Sequence, residues 1–525
     1  MGNITPTFGC LTLLLILAAT IGLRPDMFPD PEGENQLTRE QRNRSMRAST
    51  IEGMLYSVMT GVGDAYVPAA AVAMGASNFL IGLLSALPQL FGAMLQSVSL
   101  TAIRTVKSRK LLSMAASFLQ AASWLMVIAV VFWPGQMSVE LMIFFFSLGS
   151  ALTMMANPGW SSWISDVVPE NERPGFFANR NRLMQLTLFI TTFAAGLVLR
   201  QLQLQYTVGI AFAGVFAIAF AARLLTAFMH FKTDEVGYEM QLIREIRLKH
   251  LFLLPAHRNE LWFLVFMALM NFSVQFASPF FTPYMLNGLG FDIGLLGVLT
   301  AISVLTKMVC FPYWGKAIDR FGNRTVLVAT AFLASAVPLM WLFSKDALLI
   351  SLFQVFSGFV WSGFDLSSFN YALALVGREL RPSFISKYNQ FNGFFYAAGS
   401  VAGGLFLAGF GAVSLFGFSG ILLVFLISGA LRLAAALIFA PKLTAAKDIE
   451  NTTSQRAMIF NLVAVYPTQG AVQNVVNGWD FTKKIVRSST MKGGLILKTG
   501  LGATGEIIKE EGRKLVRKVT DKKRL

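Results

Sequence analysis

Two carboxylates stand in the middle of long apolar stretches. Asp64 lies in "MTGVGDAYVP" and Asp365 lies in "FVWSGFDLSS". An ionisable side chain inside a bilayer is expensive and usually functional, and loss of water disfavours its charged form. Both positions therefore predict proton exchange or contact with a solute. For Asp365, a hydrogen bond at a helix kink in its Gly/Ser-rich turn is the alternative.

A second group of charges lies in "YWGKAIDRFGNRTVL", between two apolar stretches. It contains the pattern Gly-x-x-x-Asp-Arg-x-Gly-x-Arg, which places an acid and two arginines in one short loop. The acid suits the positive N-terminus of a facing helix, and the arginines suit acids or exposed carbonyls. The first glycine would let two helices approach closely.

Other chemistry is disfavoured by the remaining reactive residues. Cys10 and Cys310 lie far apart in apolar runs, which argues against a disulfide framework or a metal site. His230, His250 and His257 match no metal-binding spacing. The stretch "GLGATGE" lacks the Gly-Lys-Ser/Thr of a phosphate loop. We therefore expect no catalytic residues, no metal and no cofactor, and a protein that is not an enzyme.

The elements that must position these groups are apolar helices. The chain has 525 residues, of which 54% are hydrophobic and 14% are charged; soluble proteins carry about a quarter charged residues. Apolar runs of ~20 residues recur, the length that crosses a bilayer as a helix. A membrane β-barrel would instead show alternating segments of ~10 residues. The composition predicts a polytopic α-helical membrane protein.

Twelve membrane spans are predicted between Ser49 and Pro441. Their approximate limits are 50–73, 79–102, 110–133, 138–162, 176–200, 206–230, 259–286, 292–314, 325–343, 347–376, 388–410 and 414–440. The predicted organisation is an N-terminal apolar segment and polar linker (1–49), a six-helix bundle (50–230), a cytoplasmic connecting segment (231–258), a second six-helix bundle (259–441) and a basic tail (442–525). Residues 9–23 could be a signal, an extra span or a start-site artefact.

Basic residues are distributed unequally between the two sides. The loops after even-numbered spans, with the span ends that flank them, contain eighteen Lys/Arg, whereas those after odd-numbered spans contain two, Arg200 and Lys345. This asymmetry predicts that the even loops and the C-terminus are cytoplasmic. From Lys442 onward, sixteen Lys/Arg against seven Asp/Glu give a net +9. The tail is predicted to contact anionic lipid rather than nucleic acid, because it lacks interleaved aromatics.

The two halves resemble each other. Pairs 215 residues apart are Pro68/Pro283, Gly75/Gly290, Gly82/Gly297 and Arg109/Arg324. Pairs 208 residues apart are Arg173/Arg381, Pro174/Pro382, Asn181/Asn389 and Gly196/Gly404, and Arg223 and Arg432 lie 209 apart. Each half has an even number of spans, so both enter the membrane from the same side. The halves are predicted to be parallel repeats.

Placed after the second span of a six-span half, the charged loop in "YWGKAIDRFGNRTVL" resembles the signature loop of the major facilitator superfamily. The residues that carry the resemblance are Gly315, Asp319, Arg320, Gly322 and Arg324. Asn323 stands where the family usually has a basic residue. The resemblance covers residues 50–441. It implies an all-α membrane protein with twelve transmembrane helices as two parallel six-helix repeats, placed in the cell (inner) membrane.

The resemblance also implies an inner-gate latch, which holds one of the two states of alternating access. A merely solvated turn is the alternative. In the N-terminal half, "LTAIRTVKSRKLL" has Arg104 where Asp319 stands and Lys107 where Gly322 stands.

Asp166, in "WSSWISDVVPENER", looks like the partner acid of this first loop. Arg109 or Lys107 is its expected partner. The second half has Ala374 at the position of Asp166, so the two gates are expected to be unequal.

A substrate cavity is implied between the halves, lined by spans 1, 4, 7 and 10. The proton or substrate candidates there are Asp64, Asp365, Asn157, Trp160, Asn271 and Gln275, with Tyr66, Trp361 and Asn370 also in these spans. Lys307 is expected to reach the headgroups, and Arg223 and Arg432 to brace each half to its inner loops. With no arginine expected in the cavity, an organophosphate exchanger is disfavoured relative to neutral, cationic or amphipathic solutes.

The expected function is secondary active transport of a small solute by a monomer in the lipid bilayer, coupled to protons. Two alternatives remain: a non-transporting scaffold or sensor that uses the tail for interactions, and a transporter of amphiphiles or lipids. Substrate, direction and symport, antiport or uniport are open.

Overall fold

A computed structural model describes residues 37–169, 172–236, 258–376, 381–415 and 417–444. The predictions for residues 9–23, for most of the connecting segment 231–258, including His250 and His257, and for the tail from 445 onward lie outside these ranges.

Spans 1–6 form the N-terminal half. Span 1 consists of Arg39–Met59, a π-helical turn Thr60–Asp64 and Val67–Ala73; span 2 is Asn78–Ser97 continued by Ser99–Val106; span 3 is Arg109–Phe132; span 4 is Ser138–Val167; span 5 is Arg173–Gln205; span 6 is Val208–Phe231.

Spans 7–12 repeat this arrangement. Span 7 consists of Arg258–Gln275, Ser278–Phe280, Phe281–Pro283 and a π-helical turn Tyr284–Gly288; span 8 is Ile293–Phe321; span 9 is Asn323–Met340; span 10 is Ala347–Leu375; span 11 is Arg381–Phe410; span 12 is Ile421–Phe439 followed by Ala440–Lys442. Strands Ser414–Leu415 and Phe418–Ser419 form a short antiparallel hairpin between spans 11 and 12.

Eleven helices in the described ranges are long and apolar enough to cross a membrane. Span 1 is the twelfth, divided by its π-helical turn. The fold is therefore that of an all-α membrane protein with twelve transmembrane helices in two parallel six-helix repeats, as the sequence predicted.

Span 1 begins earlier than expected. Its first helix starts at Arg39, so residues 39–49, predicted as part of a polar linker, are helical. Thr38 and Gln41 form a capping box that satisfies the first free N–H groups. Ser45 Oγ also lies 3.1 Å from a carboxylate oxygen of Asp234, which anchors this polar turn to the end of span 6.

The repeat is visible in the backbone where spans 2 and 8 end. Gly322 ends span 8 with φ +81°, and its counterpart Lys107 ends span 2 with φ +56°. Lys107 is the one non-glycine residue with positive φ in the described ranges. A lysine in this conformation is strained relative to glycine. The first half has therefore kept the shape of the turn without its glycine.

Glycines matched by the repeat meet where the two halves cross. Spans 2 and 11 pack together, as do spans 5 and 8. A Cβ added to Gly196 would lie 2.9 Å from the Cα of Gly297, and one added to Gly82 would lie 3.4 Å from the Cα of Gly404. Small residues allow this close approach of membrane helices. The two crossings are therefore the contacts Gly82–Gly404 and Gly196–Gly297, each made by one member of each repeat-matched pair.

Candidate substrate cavity and gates

A cavity of about 410 Å³ lies between the halves at mid-span depth. Its lining includes Asp64 and Tyr56 of span 1, Gln275 of span 7 and Tyr396 of span 11. Two of the predicted site residues, Asp64 and Gln275, therefore share one cavity although they belong to different halves.

Asp64 is placed by the π-helical turn, of which it is the last residue. Such turns are often found at functional sites, because the extra residue shifts the helix face that a side chain occupies. Its Oδ1 is buried and has no hydrogen-bond partner among the described residues. The carboxylate thus lines the cavity with one oxygen unsatisfied.

Arg223 lies behind the wall of this cavity. Its guanidinium is 5.2 Å from the ring centroid of Tyr56 and donates to Thr153 Oγ1 at 3.2 Å. It is also close enough to Asp64 to act on it electrostatically. The prediction that Arg223 braces an inner loop was wrong, because a buried arginine finds an aromatic face and a hydroxyl inside the bundle.

Arg432, the counterpart of Arg223, is also held inside its half. It donates to the carbonyl oxygen of Ala334 at 3.0 Å and lies 5.8 Å from the ring centroid of Trp361. The loop-bracing role predicted for it was therefore wrong as well. Trp361 is occupied by this contact and lies outside both cavities.

A second cavity of about 330 Å³ continues the first, with which it shares Gln89, Met154 and Tyr396. It extends toward the side of the even-numbered loops, called here the basic side. Its polar lining consists of Gln89, Gln96, Asn157, Asn271, Tyr388, Asn389, Asn392 and Tyr396. Asn157 and Asn271 are predicted site residues.

The other amides of this cavity were missed at the sequence level. They lie on spans 2 and 11, whereas the resemblance pointed to spans 1, 4, 7 and 10. A signal was available, since Asn389, Asn392 and Tyr396 follow the i, i+3, i+7 spacing of one helix face. Gln89 and Gln96 share a face of span 2 in the same way.

Asp365 forms an ion pair with Lys307 of span 8. The Nζ–Oδ2 distance is 2.5 Å, and the two side chains are 46% and 34% exposed, respectively. The prediction that Lys307 reaches the headgroups was wrong, because span 10 offers it a carboxylate. Neither residue lines the two cavities, although Asp365 is close enough to the cavity residue Tyr388 to act on it electrostatically.

Trp160 and Tyr66, which were expected in the cavity, have other contacts. The ring centroid of Trp160 lies 4.4 Å from the guanidinium of Arg180. The hydroxyl of Tyr66 donates to the carbonyl oxygen of Thr192 at 2.6 Å, beside the crossing of spans 5 and 8. Neither residue lines the two cavities.

On the basic side, the structure brings two predicted gate residues together. Arg109 Nη1 lies 2.6 Å from Asp166 Oδ2, and Arg109 Nη2 donates to the carbonyl oxygen of Val236 at 3.1 Å. The equivalent arginine, Arg324, donates to the carbonyl oxygen of Leu443 at 2.5 Å. Each arginine thus holds the segment that follows the sixth span of its half.

Aromatic residues matched by the repeat reinforce this arrangement. Trp163 Nε1 donates to the carbonyl oxygen of Asp234 at 2.9 Å, and the hydroxyl of Tyr371 donates to that of Thr444 at 2.7 Å. Positions 163 and 371 are 208 residues apart, the spacing of the sequence repeat. On the basic side, both halves therefore hold the segment after their sixth span with an arginine and an aromatic residue at repeat-matched positions.

The rest of the signature loop makes few contacts. Asp319 is exposed and forms no hydrogen bond or ion pair with any described residue. Arg320 lies 5.2 Å from the ring centroid of the neighbouring Phe321. A Cβ at Gly315 would meet nothing within 4 Å, so the helix approach predicted there is absent from this conformation.

The halves instead meet on the opposite side. There, Arg200 Nε of span 5 lies 3.8 Å from Asp292 Oδ2, the N-cap residue of span 8. The crossing at Gly196 and Gly297 lies on the same side. Together with the second cavity, these contacts define a conformation that is closed on this side and hollow toward the basic side.

A model of the Major Facilitator Superfamily matches residues 261–497. No curated protein matches the sequence. Similar solved structures include a mutant of the nucleoside transporter NupG, with a TM-score of 0.62 and 12% identity over 76% of this chain and 100% of that chain. A D-xylose-proton symporter has a TM-score of 0.60 and 13% identity, over 77% of this chain and 98% of that chain. A POT family transporter in complex with a thioalcohol conjugated peptide has a TM-score of 0.58 and 11% identity, over 76% of this chain and 97% of that chain.

The twelve spans, the repeat and the central cavity are those of a multi-pass membrane protein with a transporter fold. Residues 261–497 of the chain match the major facilitator superfamily, and the similar solved transporters share its fold.

Proposed function

We propose that the protein is a secondary active transporter, which moves a small solute across a cell (inner) membrane as a monomer and couples this movement to protons through Asp64. The observation that carries the proposal is a cavity lined by both halves and containing a carboxylate with one unsatisfied oxygen. Such a group is exposed to each side in turn if the halves rock around the cavity.

The basic side is the cytoplasmic side in this proposal, on the asymmetry of Lys and Arg in the loops. The conformation described above is then inward-open. The loop with Asp319 is the inner gate; Asp319 contacts no described residue in this state, and the loop engages the facing half in the outward-open state. The contacts around Gly297 are the outer gate.

We predict that changes at the two gates shift the equilibrium in opposite directions. Asp319→Asn removes an acid whose partner is reached only when the inner gate closes, so it favours the inward-open state. Gly297→Leu separates spans 5 and 8 where their backbones touch, so it favours the outward-open state. The measurement is the reactivity of single cysteines on each rim toward an impermeant thiol reagent.

Gly409→Leu and Lys316→Gln are the matched controls for this experiment. A Cβ at Gly409 meets nothing within 4 Å, and Lys316 is an exposed charge beside the same loop. Both should leave reactivity unchanged. A shift of Asp319→Asn in the same direction as Gly297→Leu would contradict the assignment of opposite gates.

The test of function is transport by the purified protein in liposomes. A panel of radiolabelled solutes is offered with and without an imposed pH gradient. We expect at least one solute to accumulate only with the gradient, and the proton ionophore CCCP to abolish its accumulation. Exchange of a bound solute without response to the gradient would refute proton coupling. Binding without any exchange would favour a scaffold or sensor.

A further inference from the structure

We propose that the substrate is a neutral, polyhydroxylated solute, a sugar or a nucleoside, bound by a wall of amide side chains. This inference rests on the proposed transport function and names its substrate class. The amide wall consists of Gln89, Gln96, Asn157, Asn271, Asn389 and Asn392.

The amide wall is shared equally between the halves. Gln89, Gln96 and Asn157 come from spans 2 and 4, and the other three come from spans 7 and 11. A solute bound there contacts both halves, so its binding depends on how the halves are arranged. A ligand that contacts both halves is bound differently in the two states, which transport by alternating access requires.

Amide groups match hydroxyl groups in their hydrogen-bonding capacity. Each amide offers a carbonyl oxygen that accepts and an NH₂ group that donates, and each hydroxyl also does both. A solute with several hydroxyls satisfies such a wall in many orientations. The rings of Tyr388 and Tyr396 in the same cavity supply flat apolar faces for a sugar ring or a base.

One atom of the wall lacks a partner in this structure. Asn392 Oδ1 is buried and accepts no hydrogen bond from any described residue. Buried polar atoms are nearly always paired, so an unpaired one in a cavity is a place where a ligand donor fits. A hydroxyl or a base N–H supplies this donor.

The absence of charged side chains among the described residues that line the second cavity also favours a neutral solute. The residues that line the second cavity include no Asp, Glu, Lys, Arg or His. The nearest charges on the facing spans, Lys307 and Asp365, neutralise each other in an ion pair, and Asp64 lies in the first cavity. A charged solute in the second cavity would lose part of its water without gaining an opposite charge from the lining, which disfavours it relative to a neutral solute. A neutral solute has no charge to remove from water, and its hydroxyls exchange hydrogen bonds with water for hydrogen bonds with the amides.

The test is ligand-induced thermal stabilisation of the purified full-length protein in detergent. The probes are the common hexoses, pentoses and ribonucleosides, with glutamate, lysine and choline as charged solutes. We expect a member of the neutral set to raise the unfolding temperature in a saturable manner and the charged solutes to have no effect. Stabilisation by charged solutes alone, or by no neutral probe, overturns the proposal.

Variants of the amide wall locate the effect. Asn271→Leu and Asn392→Leu keep the side-chain size and remove hydrogen bonds, so each should weaken the affinity for the stabilising probe by about tenfold, the loss of roughly one hydrogen bond. Asn370→Leu, in span 10 and outside both cavities, is the matched control. Unchanged affinity in both wall variants contradicts the assignment, as does an equal loss in the control.

Failure of this inference is distinguishable from failure of the transport proposal. Binding is measured here without a membrane gradient. If charged solutes bind and accumulate in liposomes, transport stands and the substrate class is wrong. If sugars or nucleosides bind but never cross the membrane, the substrate class stands and transport is wrong.

Discussion

Replacement of Asp64 with Asn is expected to abolish accumulation of solute driven by a pH gradient while exchange of solute across the membrane continues. Asn keeps the shape of the side chain and resembles the protonated acid, so the carrier behaves as if Asp64 were permanently neutral. The halves still rock around a bound solute, but no proton moves with it. Accumulation and counterflow in liposomes measure the two activities separately.

Asp365→Asn is the comparison for this experiment. It also removes a carboxylate from the middle of a span, but Asp365 is paired with Lys307, whereas Asp64 has an unsatisfied oxygen in the cavity. We expect Asp365→Asn to weaken binding more than coupling, because Lys307 loses its partner beside the cavity residue Tyr388. If Asp64→Asn accumulates solute with unchanged pH dependence, Asp64 is structural.

The fold was predictable because it depends on properties that are local in sequence. Span length, apolar composition and loop charge are each read from one stretch. The repeat added long-range information, since Gly82, Gly196, Gly297 and Gly404 were found as matched pairs before the structure showed that they form the crossings. Position along a span is also read from one stretch, which is why Asp64 was expected inside span 1, where the structure places it.

Partners across helices were much less predictable. Lys307, Arg223 and Trp160 were each assigned a plausible environment, and each is bound instead by a group on a neighbouring span. A sequence gives the depth and the face of a side chain, but the partner depends on how two helices are rotated against each other. A rotation of one residue is ~100°, enough to exchange a lipid-facing position for a buried one.

At the gates, too, some contacts could be predicted from the sequence and others could not. The contact between Arg109 and Asp166 joins positions that the resemblance had already paired. By contrast, Asp319 contacts no described residue, and in the proposed mechanism its partner is reached only when the inner gate closes. A sequence does not indicate in which conformation a contact forms, and this structure shows a single conformation.

The largest loss of stability is expected from Arg180→Ala, about 3–5 kcal/mol in the free energy of unfolding. Arg180 Nη2 lies 2.8 Å from Glu52 Oε2, and the two side chains are only 7% and 8% exposed. Arg180 Nε also donates to the carbonyl oxygen of Ser49 at 3.1 Å, and the guanidinium lies over Trp160. Removal of the arginine leaves the carboxylate of Glu52 buried without its opposite charge. Chemical denaturation in detergent measures the loss.

Arg182→Ala is the matched control, since this arginine is two residues away on the same span and is exposed. Its substitution should change the free energy of unfolding by less than about 0.5 kcal/mol.

The double variant Glu52→Gln/Arg180→Met removes both charges and should recover most of the stability, because the penalty comes from the unpaired carboxylate rather than from the missing pair. If Arg180→Ala unfolds like Arg182→Ala, water reaches Glu52 and the pair does not fix span 1 against span 5. If the double variant is no more stable than Arg180→Ala, the loss comes from the contacts with Ser49 and Trp160 instead.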